Sequence, residues 1–232
     1  MTTSNIADNL TVFIPTINRT QILRRLLEYY KAFNTPFHLV IADSSSQENK
    51  AINKETVESF GHSLLAIEYL PYETTLHPYL KWADMVQKAQ TKYIVLNADD
   101  DFLIPAGIEQ CIQYLERHED FVCCQGNYLG FTYTKDHGLQ WKTLYPYAAA
   151  DIERKQFEDP SDRLSHHLMQ YYEMLYAVHR TELFQLVLKE MVDNDINPTA
   201  FGLYFIDLLQ LVYGKSMQVN TLYAVRRFES RV

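Results

Sequence analysis

Cysteine is nearly absent: Cys111, Cys123 and Cys124 are the only three. Adjacent Cys123 and Cys124 point to opposite faces of an extended chain and make a poor disulfide pair. No Cys or His spacing matches a zinc site, and His166, His167 and His179 lack a second ligand at the right distance along the chain. A reduced, cytoplasmic protein is the expectation. Missing too is any apolar run near the roughly 20 residues that span a bilayer. The opening Met1-Thr2-Thr3-Ser4-Asn5 has no basic segment leading into an apolar stretch, so no signal peptide is expected. Basic residues are few. Lys and Arg number 21 against 29 Asp and Glu, a net charge of −8 with no dense basic cluster. That argues against a nucleic-acid binder working through phosphate attraction. An anionic ligand would need local devices instead: a helix N-terminus, a metal ion or single basic side chains.

What is present is aromatic and apolar. Seventeen Tyr and 12 Phe supply core, and sugar-binding surfaces also use such faces. Apolar spacing predicts strands at 10–14, 37–42, 64–70, 93–97 and 121–125, and helices at 19–33, 47–60, 79–89 and 105–117. Strands alternating with helices imply a doubly wound, mostly parallel α/β sheet covered on both faces. Farther on, residues 135–138 read as a hairpin turn and 161–173 as a helix capped by Asp159 or Ser161. A short strand at 175–179, a Thr-capped helix at 181–192, a helix at 202–213 and an extended segment at 216–228 complete the chain. With no linker or repeat, the expectation is one domain over 1–232. Its first half, about 9–125, would bind the ligand, and a smaller lobe over 126–232 would complete the site.

The most informative feature is Asp99-Asp100-Asp101, between the apolar run Tyr93-Ile94-Val95-Leu96 and a helix opened by Pro105. Like charges this close repel unless a cation joins them. Mg2+ or Mn2+, held by one or two carboxylates and ligand phosphates, resolves the repulsion; a solvated turn is the plainer alternative. Two other strands end in polar loops, at Thr16 to Arg19 and at Asp43 to Ser46. In a parallel sheet all three would share the carboxyl edge, where ligands bind.

These motifs together resemble family 2 glycosyltransferases. Phe13-Ile14-Pro15-Thr16-Ile17-Asn18-Arg19 is similar to the family's opening strand, Ile41 to Ser46 to its second-strand turn, and Asp99 to Asp101 to its Asp-x-Asp metal motif. Tyr204-Phe205-Ile206-Asp207 resembles the helix that carries the catalytic base, and Tyr223 to Phe228 a closing strand. The resemblance implies a GT-A fold and inverting transfer of a sugar from a nucleotide-sugar to an acceptor hydroxyl, in bacterial polysaccharide or glycoconjugate synthesis. It implies that Pro15, Thr16 and Asn18 line the nucleoside site and that Asp43 accepts a bond from the base N–H, which points to UDP. Asp99 and Asp101 would divide ribose and metal binding, and Asp100 can take either role. Arg19 would approach the diphosphate or stay solvated. Arg226 and Arg227 would clamp the diphosphate or end a solvated strand. Asp207 would be the base, with Glu173, Asp159 and Asp195 as competitors.

The sequence departs from the family in three places. Asn97 or Ala98 stands where an Asp is common, and Ile206 replaces the Glu before the base. The stretch 74–81 lacks the usual Arg-Asn turn, so Lys81 would supply the lost positive charge or lie on a helix surface. Two alternatives remain: a degenerate nucleotide-sugar-binding module, and a sugar-phosphate nucleotidyltransferase. The second wants a Gly-rich loop after the first strand, and Thr16 to Thr20 has no glycine. A lipid-linked acceptor would bring the chain to the inner face of a membrane, although no basic amphipathic helix demands it.

Overall fold

The computed structural model describes residues 9–61, 66–134, 136, 138–142, 157–196 and 201–227. The first strand, β1 (Leu10–Thr16), sends Leu10, Val12 and Ile14 to one face of the sheet and Phe13 to the other, all buried. α1 (Thr20–Ala32) buries Leu23, Leu26, Leu27 and Tyr30, the three-and-four spacing of one helical face. β2 (His38–Asp43) follows, then α2 (Gln47–Phe60), whose N-terminus is capped by the Ser46 hydroxyl accepting from the Asn49 amide. Next come β3 (Ala66–Pro71), α3 (Pro78–Gln87) and β4 (Tyr93–Leu96). α3 opens on Pro78, where a missing N–H costs nothing.

Past the acidic turn lie β5 (Phe102–Leu103), α4 (Pro105–Arg117) and a hairpin of β6 (Phe121–Thr134) with β7 (Gly138–Lys142). Gly138 takes the left-handed φ of 63° that closes the hairpin, a conformation open to glycine. α5 (Pro160–Met169), β8 (Val178–Arg180), α6 (Thr181–Asp193), α7 (Leu203–Tyr213) and β9 (Lys215–Arg227) finish the fold.

The strands form one sheet in the order β3-β2-β1-β4-β8-β6-β9-β5, with β7 added to β6. β3, β2, β1 and β4 are parallel, as are β6 and β9, while β8 runs antiparallel between the two sets. α1, α2 and α4 cover one face; α3, α6 and α7 cover the other. The expected two-sided α/β sheet is therefore observed.

Several boundaries move. β3 is described from Ala66, and the start expected at 64 lies outside the described residues. β5 is a two-residue strand that periodicity cannot detect; it forms because β9 offers Ala224 and Val225 as partners. β6 runs nine residues past the expected end at 125, because β9 lies alongside it. α5 ends at Met169 rather than 173, and the following strand begins at Val178 rather than 175. Asp159 caps α5 by accepting from the Ser161 amide at 2.8 Å, as expected. Thr181 caps nothing: Arg180 holds the N-cap position of α6.

Candidate active site

The register of the central strands brings the three polar loops to one edge. Thr16 at the end of β1 pairs with Asp43 at the end of β2, and the Asn97 amide after β4 donates to Phe13 O at 2.8 Å. Asn97 also donates its side-chain N–H to the Tyr30 hydroxyl and to Asp101 O, each at 3.1 Å, which folds the acidic turn back on itself. A cavity of about 410 Å³ opens at this edge. Pro15, Thr16, Arg19, Ser44, Lys81 and Asp99 border it, together with the 74–78 turn, Trp82 and Tyr176.

The three acids are not solvated. Asp99 accepts from the Thr16 hydroxyl at 2.7 Å and from Arg19 Nη1 at 2.6 Å, while Arg19 Nη2 reaches Asp100 at the same distance. Asp101 faces the other way: Arg226 Nε donates to it at 2.8 Å and the Arg227 amide at 3.3 Å. Burial raises the Asp99 carboxyl, against the Thr16 bond and the Arg19 charge. Burial also pushes Asp101 up to about 6, against Arg226. Arg226 lies between the Tyr128 and Tyr176 rings, 4.9 and 4.7 Å from their centres, and also bonds Glu173 at 3.2 Å. It is thus turned inward, as a tie between the acidic turn and the 170–177 loop.

Lys81 belongs to the site. It is 4% exposed and donates to Ser44 Oγ at 2.8 Å and to the Thr16 and Ala42 carbonyls. Burial lowers its ammonium to about 8, against the pull of Asp43 and Asp99.

Other expected residues sit elsewhere. Asp43 is fully buried, accepting from the Ser45 amide at 2.8 Å, Asn53 Nδ2 at 2.8 Å and the Tyr69 hydroxyl at 2.7 Å. Ser44 is the residue of that turn which borders the cavity. Asn18 adopts φ 53° and latches the first loop to α2: its Oδ1 accepts from the Ser46 amide and Asn49, and its amide donates to Ser45 Oγ. Asp207 is 1% exposed, between α5 and α7 and off the cavity wall. Burial, then the charge of Glu173, holds its carboxyl well above the usual range. Asp159 caps α5 and Asp195 lies beyond α6, both away from the cavity. His179 bonds Gln210 and Leu175 O inside the core, where burial drives it down to about 4 and keeps it neutral. Trp82 and Tyr176 went unread in the sequence, because no local pattern marks which aromatic residue ends at a strand edge.

Among the described residues no three His, Cys, Asp or Glu side chains form a ligand set. The donors in the acidic turn are carboxylate oxygens with lone pairs beyond those the arginines use. They fit a hard cation that takes one or two carboxylates and completes its shell from phosphates.

The family model for glycosyl transferase family 2 matches residues 11–177. The chain belongs to glycosyl transferase family 2. The site just described is therefore the edge of a glycosyltransferase sheet, and the family leaves the nucleotidyltransferase alternative without support. No curated protein matches this glycosyltransferase in sequence. Its fold is similar to that of S. aureus TarS 1–349 in complex with UDP-GlcNAc, with a TM-score of 0.60 at 15% identity over 97% of this chain and 60% of that one. It is similar as well to the mannosyltransferase PcManGT from Pyrobaculum calidifontis, in complex with GDP-Man and Mn2+. There the TM-score is 0.59 at 11% identity, over 96% of this chain and 58% of that one. The expected GT-A architecture is thus borne out, and the chain spans about 60% of the TarS structure's length. No described helix is long and apolar enough to cross a membrane.

Proposed function

We propose that this glycosyltransferase moves a sugar from a UDP-sugar to an acceptor hydroxyl with inversion, in bacterial polysaccharide or glycoconjugate synthesis. One observation carries the reading: Asp99 of the acidic turn, Arg19 and Lys81 border one cavity on the carboxyl edge of a parallel sheet. UDP-GlcNAc and GDP-Man with Mn2+ in the similar structures support a nucleotide-sugar in this cavity.

In this reading Pro15, Thr16 and Ser44 border the nucleoside, while Arg19 and Lys81 offer charge to the diphosphate. Asp43 and Asn18 shape the loops rather than touch the base. Asp99, with Asp100 beside it, would hold Mg2+ or Mn2+, while Asp101, turned to Arg226, would fix the turn. Such an ion, when bound, offsets the charge that grows on the leaving diphosphate. Tyr176 and Trp82 narrow the cavity and limit water at the reacting carbon. The acceptor's proton must pass to a base as the hydroxyl oxygen attacks the anomeric carbon from the side opposite the diphosphate, and Asp207, sealed off the cavity wall, does not reach that point where it stands. The burial of Asp207 favours a second reading, a module that binds nucleotide-sugar without turning it over.

Calorimetric titration of UDP with and without Mn2+, against wild type and an Asp99→Ala/Asp101→Ala variant, tests the reading. Metal-dependent binding that the variant loses is expected. Failure to bind UDP, GDP, CDP or dTDP overturns it. Binding with no transfer or hydrolysis of any donor sugar supports the second reading.

A further inference from the structure

The turn before α3 departs from the family pattern and lies on the cavity wall. His77 there holds the N-cap position of α3 without a side-chain cap bond. Its imidazole stacks on the Tyr79 ring at 5.6 Å, with 18° between the planes, and Tyr79 packs on Trp82 at 4.7 Å. Tyr176 reaches the same cavity from the loop before β8, with the Arg226 guanidinium 4.7 Å from its ring centre. Each of the three rings at the cavity is thus backed by a neighbour that fixes its place. Their polar tips stay open: among the described residues the His77 nitrogens, the Trp82 indole N–H and the Tyr176 hydroxyl make no hydrogen bond. Nδ1 of His77, the nitrogen nearer its own backbone, is buried without a partner. It belongs to the N-terminal end of α3, where a helix presents free N–H groups and partial positive charge. A lone pair suits that place and a second N–H does not. The proton of the neutral imidazole is therefore assigned to Nε2, which leaves a donor on the ring edge that is not sealed.

Arg19 and Lys81 offer charge to the diphosphate, so the remaining wall is left for the sugar that the diphosphate carries. Thr74 to Pro78, Trp82 and Tyr176 form that wall, and it holds no Asp, Glu, Lys or Arg. Aromatic faces cover the C–H face of a pyranose, and N–H and O–H tips meet its hydroxyls. A carboxylate on the sugar would be desolvated against this wall without a cation to pair with. We propose that His77 is the specificity-determining residue for the transferred sugar: its Nε2–H donates to a hydroxyl oxygen of a neutral pyranose that lies against Trp82 and Tyr176. This rests on the nucleotide-sugar reading above and names the class of sugar. A site that hydrogen-bonds a hydroxyl rejects the sugar that lacks it or points it elsewhere, because the donor is then left unpaired.

Calorimetry in the presence of Mn2+ compares UDP, UDP-glucose, UDP-galactose, UDP-N-acetylglucosamine and UDP-glucuronate. Wild type is expected to bind one neutral UDP-sugar more tightly than UDP, and UDP-glucuronate no more tightly than UDP. His77→Ala should cut that preference by about three- to tenfold, the effect of one hydrogen bond, with UDP affinity itself within about twofold of wild type. His77→Gln keeps an N–H donor at similar reach and should hold most of the preference. A parallel fall in UDP and UDP-sugar affinity overturns the proposal, as does a preference that His77→Ala leaves unchanged, or UDP-glucuronate as the tightest ligand. Nitrogen-15 NMR of labelled histidine gives an independent arm: an Nε2–H tautomer at His77 in the free protein, with the Nε2 signal moved by the UDP-sugar and not by UDP. An Nδ1–H tautomer overturns the assignment. If wild type binds no UDP, the proposed function fails and this inference with it; UDP binding without any preference among the sugars overturns this inference alone.

Discussion

Asp43 shows how neighbours decide what a carboxylate can do. An acid after an apolar strand reads as a ligand, since nothing local marks it as spoken for. Its partners Asn53 and Tyr69 arrive from 10 and 26 residues downstream and, with the Ser45 amide, occupy both oxygens. Asp43→Ala would take the charged acceptor from three donors, leaving the Tyr69 hydroxyl only Lys50 O at 3.2 Å and Asn53 Nδ2 only Ser45 Oγ at 3.5 Å. We expect a loss of at least about 3 kcal/mol in urea unfolding, since each bond to a charged group contributes about 1.5–3 kcal/mol. A variant of wild-type stability that binds UDP more weakly would return the base-reading role to Asp43. The acidic triplet is the opposite case. Its place at the strand end was legible because Tyr93 to Leu96 and Pro105 bracket it in the chain. Its division into Asp99 with Arg19 and Asp101 with Arg226 was not, because Arg226 is 125 residues from Asp101.

At the scale of elements, apolar rhythm located the helices and the central strands, because each buries one stripe or alternates between two covered faces. Rhythm failed where pairing replaces burial pattern. β5 exists through β9, and β6 continues past Gln125 because β9 runs beside it. Gly107 records how closely α4 packs on β9. A Cβ there would lie 2.2 Å from Leu222 O and 2.9 Å from Tyr223 Cα, both backbone atoms of β9. Gly107→Ala should force α4 off β9 and destabilise the protein by about 1–3 kcal/mol, the usual cost of overpacking. Thermal melting checks it. An unshifted midpoint would mean that α4 can slide freely on the sheet. Because β9 also carries Arg226, the same variant should weaken UDP binding.

At the scale of the whole molecule, an acidic protein that binds an anion must concentrate positive charge locally. Net charge is −8, yet Lys81 is held at the cavity with Arg19 close by. Lys81 has its ammonium lowered to about 8 by burial. It is charged below that pH and neutral above, and a diphosphate favours the charged form. UDP affinity should therefore fall as pH rises through about 8, and Lys81→Met should flatten that step while weakening binding below it. Calorimetry on both proteins at either side of the value decides it. A wild-type affinity that is flat across this range would remove Lys81 from the diphosphate site.

The sequence by itself determined the two-sided α/β sheet, the acidic turn at a strand end and the kinship with family 2. Each is written in neighbouring residues: period-two and three-and-four spacing, a Pro at a helix start, acids after an apolar run. Only the tertiary structure decided that Asp43 is buried with both oxygens engaged, that Lys81 is buried at the cavity rather than spread on a helix surface, and that Asp207 lies sealed against His167. Those outcomes depend on residues tens of positions apart. Burial and pairing there set both access and charge, and no local pattern carries them.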